Sequence, residues 1–218
     1  MNDEAGSGGV LLWLDVETTS LDPRFTDLLE IGMHATTPRL QTVMEPFSVQ
    51  IAPGRYWRHL RDSDQWEGEA RRMHEANGLL HECWRTDAMT IQQARKHVKR
   101  RLAALLREHE RVMAAGASVH FDIAVLDHQM THLLDGLHHR RMDVSCIHSF
   151  FQEHLPGLAD AAPSHATTHR ALECLADAQR LYAHYAGLDP QRIRFATDPH
   201  AGDGPRSHDP DAWEGWQS

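Results

Sequence analysis

The stretch from Val10 to Asp22 constrains the fold more than any other part of the chain. It opens as an apolar run, Val10, Leu11, Leu12, Trp13 and Leu14, and closes on the turn signal Leu21, Asp22, Pro23. That pattern predicts a buried strand that leaves the core for the surface. Asp15 and Glu17 fall two residues apart near its end, so an extended backbone turns both carboxylates to one face. Like charges at the edge of an apolar core repel each other and resist losing water. A divalent cation removes that cost, and hard oxygen donors suit Mg²⁺ or Mn²⁺. At a solvated strand end the same pair would do nothing, so the D-x-E spacing alone does not decide between the two.

The chain is 218 residues long and 41% hydrophobic, enough for one domain with a real core and some tail. No apolar run approaches the roughly 20 residues of a membrane span. The N-terminus, residues 1–9, is acidic and small and lacks the basic start of a signal peptide. Cys83, Cys146 and Cys174 are far apart and odd in number, which argues against a disulfide framework and a zinc ribbon, and a reducing cytoplasm is expected. A net charge of -9 counts against a protein that coats nucleic acid by charge alone. It does not exclude an enzyme that admits one short strand end into a cation-charged pocket. The 18 histidines are scattered and read mostly as surface residues.

After the first strand, Asp27–His34 and Val43–Ile51 read as two more, giving an antiparallel meander. Arg55–Trp66 has no clear period and reads as loop or short helix. Arg71–Trp84 reads as two short helices broken at Asn77 and Gly78. Thr90 is expected to cap a helix running to about Glu108, with Ile91, Ala94, Val98, Leu102, Leu105 and Leu106 inward. Arg111–Ser118 reads as a short strand, followed by a helix from about Phe121 with Asp122 near its start. Arg140–Ser145 reads as a strand and Cys146–His154 as a helix. Pro156–Ala166 reads as a loop, and a final helix is expected from His169 to about Tyr185. Beyond Gly187 the composition turns to Asp, Pro, Gly and His, which reads as a disordered tail carrying Trp213 and Trp216. The order implies one α/β domain, residues 10–186, built on a mixed sheet with helices on both faces, with flexible tails at 1–9 and 187–218.

Asp15, Glu17, Asp122 and His169 all sit at strand ends or helix starts, where one sheet can bring them together. Three carboxylates around two cations roughly 3.5–4 Å apart make a phosphodiester-hydrolysing site, with a nearby histidine to take the water's proton. At these residues the chain resembles the oligoribonucleases, in the histidine branch of the DEDD superfamily of 3′-to-5′ exonucleases. Asp15–Asp22 is similar to the family's D-x-E-x-T-G-L-D, with Ser20 in place of glycine. Ser118–Asp122 is similar to N-S-x-x-x-D, with Ala117 where asparagine is usual. Arg140–Ser145 resembles R-Y-L-D-V-S, Met73–Leu80 resembles T-H-x-x-S-G-L, and Thr168–Leu172 resembles the start of the third exonuclease motif. The five segments come in family order.

The resemblance implies a ribonuclease H-like fold, two divalent ions (Mg²⁺ or Mn²⁺), and hydrolysis of short RNA to nucleoside 5′-monophosphates. It implies Asp15, Glu17 and Asp122 as metal ligands and His169 as general base. Leu21 would wedge against the terminal base, and Ser118, Arg140 and Ser145 would hold the 5′-phosphate. His74 would support that phosphate, across a homodimer. Bland readings stand beside these: Ser145 as a helix cap, and Arg140 and His74 as surface residues. The chain departs from the family where a fourth carboxylate is usual, five residues after the histidine, because that position is Cys174. A thiol is a poor ligand for Mg²⁺ unless a softer metal draws it in. Glu173, adjacent and longer, is the expected substitute, with Asp177 one turn further on. The dimer-crossing tyrosine position is His139, and a usual tryptophan is Glu69. Competing expectations are an exonuclease for DNA ends and a weakened relative that binds short nucleotides without turnover. No membrane partner is expected.

Overall fold

The computed structural model describes residues 9–52, 68–164 and 168–189. The predicted loop or helix at Arg55–Trp66, residues 1–8 and the tail from 190, with Trp213 and Trp216, lie outside them.

Five strands form one sheet: β1 Val10–Thr18, β2 Leu28–Thr36, β3 Thr42–Gln50, β4 Val112–Gly116 and β5 His138–Asp143. Their order is β3-β2-β1-β4-β5, so the first strand of the chain is the central one. β1, β2 and β3 are antiparallel neighbours, as the short links between them require, while β4 and β5 run parallel to β1 and β4 respectively. Seven helices complete the described fold: α1 Gly68–Ala76, α2 Leu79–Cys83, α3 Ile91–Glu108, α4 Val119–Gln129, α5 Val144–His154, α6 Pro156–Asp160 and α7 Ala171–Tyr185.

β1 alternates between two cores, which is why its whole apolar run is buried. Leu12, Leu14 and Val16 pack with Val98 and Leu102 of α3 and Val125 and Leu126 of α4. Leu11 and Trp13 point the other way, against Leu175, Ala178 and Leu181 of α7. Trp13 is fully buried and donates its indole Nε1–H to Thr36 Oγ1 at 2.9 Å, so the polar end of the ring is satisfied. Each large side chain enclosed this way contributes about 1.5–3 kcal/mol. The mixed sheet with helices on both faces agrees with the sequence expectation.

The differences are local. Thr90 caps α3 as expected, in a reciprocal pair with Gln93. Pro156–Asp160, read as loop, forms a helical turn because Pro156 at its start has a backbone already set for a helix. α5 begins at Val144, and its cap is Asp143, which accepts from the backbone N–H of Ser145 and Cys146. The last helix begins at Ala171, two residues later than expected, because His169 is in the left-handed region at φ 53°.

Candidate active site

On β1, Asp15 and Glu17 continue the face of Leu11 and Trp13, toward α7. The register sets Gly32 of β2 opposite Asp15 and Glu30 opposite Glu17. Gly32 matters because a Cβ there would lie 2.7 Å from Ala171 Cβ, so its bareness lets the start of α7 rest on the sheet. Ala171 N–H donates to Glu30 Oε2 at 3.0 Å, and Arg170 binds both Glu30 and Glu82. Glu30 is itself buried and accepts from Gln50 Nε2 at 2.8 Å. With its first residue pinned, α7 brings Cys174 onto the carboxylates. The Cys174 thiol faces Glu17 Oε1 at 3.7 Å, and ligand atoms of Asp15, Glu17 and Cys174 all lie within 4.8 Å of one another.

Asp122 comes from the first turn of α4, is 4% exposed, and accepts from the Val16 N–H through Oδ1 at 2.9 Å. That bond ties the second motif to the backbone between the two acids of the first. Burial pushes Glu17 up to about 8, assisted by the charge on Glu30 and opposed by the Cys174 thiol. Burial raises Asp122 to about 7 despite the Val16 hydrogen bond. Asp15 is raised well above the carboxylate range by burial and by the charges of Asp122, Glu17 and Glu30. Asp15 Oδ2 is enclosed and has no hydrogen-bond partner. Buried acids that repel each other, with an orphaned oxygen among them, fit a divalent cation.

His169 stands at the other side of α7's start, partly buried. Its left-handed backbone is held by Asn77, whose Nδ2 donates to Thr168 O at 2.9 Å and His169 O at 2.8 Å. The same side chain accepts from the N–H of Leu79, the first residue of α2, at 3.0 Å. Sequence reading took Asn77 only as a helix break; its place between two motifs far apart in the chain was missed. The signal that could have found it is its position three residues after His74 within one motif.

His74 differs from expectation. It is 1% exposed, with Nε2 3.1 Å from Thr18 O and 3.8 Å from Glu17 Oε2, while Nδ1 has no partner. Burial lowers it to about 4, so it is neutral at physiological pH and braces the end of β1 from within. It is not the surface histidine of the bland reading, and a neutral enclosed imidazole brings no charge to a phosphate. Glu173 also requires correction. It is exposed, accepts from Thr168 Oγ1 at 2.5 Å, and lies outside the cluster, because the pinned start of α7 turns Cys174 inward instead. Asp177 is buried but engaged with Arg180.

Ser118 and Ser145 are brought together, Oγ to Oγ at 3.4 Å. Asp143 organises both, accepting the N–H of Ser118 and of Ser145 at 3.0 Å through Oδ1. Arg140 is exposed on β5, where the pairing with β4 shifts register. Leu21 is 75% exposed just past β1, near Phe25 at 61%. An exposed leucine four residues beyond Glu17 in the chain suits contact with a flat apolar group.

Comparison with known proteins gives a consistent set of relatives. The exonuclease family (RNase_T) matches residues 12–185. The chain is 27% identical over 195 residues to an oligoribonuclease of Corynebacterium glutamicum, covering 87% of this chain and 81% of that one. It is 29% identical over 163 residues to an oligoribonuclease of Cutibacterium acnes, covering 75% and 77%. Among solved structures, E. coli exonuclease I in complex with a dT13 oligonucleotide superposes with a TM-score of 0.57 at 14% identity over 85% of this chain. The chain spans 42% of exonuclease I's length, and this likeness speaks to the fold alone, a ribonuclease H-like α/β sheet.

Proposed function

The chain belongs to the exonuclease family as a 3′-to-5′ exoribonuclease of the oligoribonuclease type, and on that premise we propose that it trims short single-stranded RNA to nucleoside 5′-monophosphates at a two-cation site. The observation that carries this is the group of carboxylates Asp15, Glu17 and Asp122, the last two buried, with the Asp15 Oδ2 atom enclosed and without a partner. These carboxylates would hold the cations, Mg²⁺ or Mn²⁺. When bound, the cations supply the acidifying and charge-neutralising chemistry that phosphodiester hydrolysis needs.

The rest of the work falls to the chain's own groups. His169 takes the proton of the attacking water, and its position is fixed through its carbonyl by Asn77. Asp122 stays oriented by the Val16 N–H, so it does not have to reorganise as charge moves. Leu21 packs against the terminal base. The adjacent hydroxyls of Ser118 and Ser145, with Arg140, hold the 5′-phosphate of the same short strand. A substrate gripped at both ends by one small site has few nucleotides, which is why the preference is for short strands.

The catalytic domain is assigned to residues 10–186, acting as a homodimer in the cytoplasm. The isolated free thiols of Cys83, Cys146 and Cys174 suit a reducing compartment. The test is a series of 5′-labelled RNAs from two to about twenty nucleotides, with DNA of matched length, in Mg²⁺ and in Mn²⁺. The reading expects the highest kcat/KM for RNA of two to five nucleotides. Faster cleavage of DNA, or a rate that grows with length, would overturn the substrate assignment.

A further inference from the structure

Among the described residues, one group of side chains is arranged to hold a metal ion, and one of its three donors is sulfur. Three observations fix that sulfur in place. α7 is anchored through Gly32, Ala171 and Glu30, so its inward face is set by backbone packing rather than by side-chain choice. The two carboxylates of α7 nearest Cys174 in the chain are otherwise engaged: Glu173 is turned out to Thr168 Oγ1 and Asp177 is paired with Arg180. Beside Cys174 lies the Asp15 carboxylate, whose Oδ2 is enclosed and has no partner, so the group that the thiol faces already contains an unmet demand for a cation.

We infer that Cys174 Sγ is itself a ligand of the divalent cation and shifts this site's preference from Mg²⁺ toward thiophilic divalent cations such as Zn²⁺, Co²⁺ or Cd²⁺. The inference rests on the proposal that Asp15 and Glu17 hold a cation. Sulfur and carboxylate oxygens together make a mixed donor set, and thiolate favours softer metals over Mg²⁺, which takes oxygen ligands almost exclusively. On binding, the S–H contact to Glu17 Oε1 is given up, a metal–sulfur bond forms, and the proton leaves to solvent; nothing is oxidised or reduced. The 3.7 Å separation of Sγ from Glu17 Oε1 suits two ligands of one ion without movement of either element.

The test titrates the full chain with Co²⁺ and Cd²⁺ and reads sulfur-to-metal charge-transfer absorption, with Mg²⁺ affinity measured by competition. Cys174→Ser, Cys174→Asp and Asp15→Asn are compared, each checked for an unchanged circular dichroism spectrum. The wild type is expected to show the band and to bind Cd²⁺ more tightly than Mg²⁺ by an order of magnitude or more. Cys174→Ser and Cys174→Asp lose the band, and Cys174→Asp gains Mg²⁺ affinity by a similar factor. A band that survives Cys174→Ser comes from Cys83 or Cys146 and overturns the inference, as does no band with an unchanged metal order in Cys174→Asp. Should a variant fail to fold, Cd²⁺ protection of Cys174 against alkylation, mapped by peptide mass in the wild-type chain, decides instead: no protection overturns the inference. RNA cleavage read in parallel separates the two levels. Cleavage without the band refutes only the sulfur ligand, whereas the band without cleavage refutes only the proposed function.

Discussion

Glu17 and Asp122 are acids kept where acids are costly, and that cost has a sign. Burial raises both, to about 8 and about 7, above their ordinary values of 4.5 and 3.8. The folded chain therefore holds these protons more tightly than the unfolded chain does. Stability from this source is fully present below about pH 4 and is lost as pH rises through 7 and 8. Metal-free protein is expected to lose stability on the order of a few kcal/mol between pH 5 and pH 8, seen as a progressively lower melting temperature, and added Mn²⁺ should restore most of it. Thermal denaturation with and without chelator across that range checks this; a flat profile would contradict it. Glu17→Gln should raise the metal-free melting temperature at pH 8 while reducing kcat by a hundredfold or more. At this scale the sequence was informative about local placement: Asp15 and Glu17 share one face of β1 as their spacing implied, and Asp122 is tied to the Val16 N–H between them. It was uninformative where a rotation decides, since whether Glu173 or Cys174 faces the strand depends on how α7 is seated.

That seating is a property of elements. Gly32 and Ala171 meet where any added carbon would collide, so Gly32→Ala should push α7 off the sheet. The expected cost is about 1–3 kcal/mol of stability, with weakened cation binding, because Cys174 and His169 move with the helix. Chemical denaturation and metal titration of the same variant check both effects together. Asn77 joins α1 and α2 to the start of α7, donating two hydrogen bonds to the His169 segment and accepting one from the first residue of α2. Asn77→Ala should lower kcat with KM and metal affinity little changed, since it loosens the base and not the carboxylates; an unchanged kcat would contradict this. Periodicity made α3 legible from Thr90 to Glu108 because its buried face repeats regularly. The start of α7 was not legible, because the left-handed backbone at His169 is enforced by a side chain about ninety positions earlier. Pro156–Asp160 was hidden by a composition that suits turns as well as one helical turn.

For the whole molecule, the order β3-β2-β1-β4-β5 makes β1 central, so the strand that leads into the first motif is packed on both faces and the Asp122 motif meets it near its end. The succession of three strands and then alternating helices and strands implied a mixed sheet with helices on both faces; the order of strands came from pairing that no local pattern encodes. With a net charge of -9, the proposed function needs the cations, rather than a basic surface, to attract the substrate. Monovalent salt should therefore weaken RNA binding far less than removal of divalent cations does, measured by fluorescence anisotropy with a labelled dinucleotide. The most direct test of the central claim follows a 5′-labelled pentanucleotide RNA in Mn²⁺, comparing wild type, Asp15→Asn and chelator-treated protein. Stepwise shortening from the 3′ end, abolished by the substitution and by chelation, is the expected result. Shortening that survives either one, or none at all from folded wild-type protein, would contradict it.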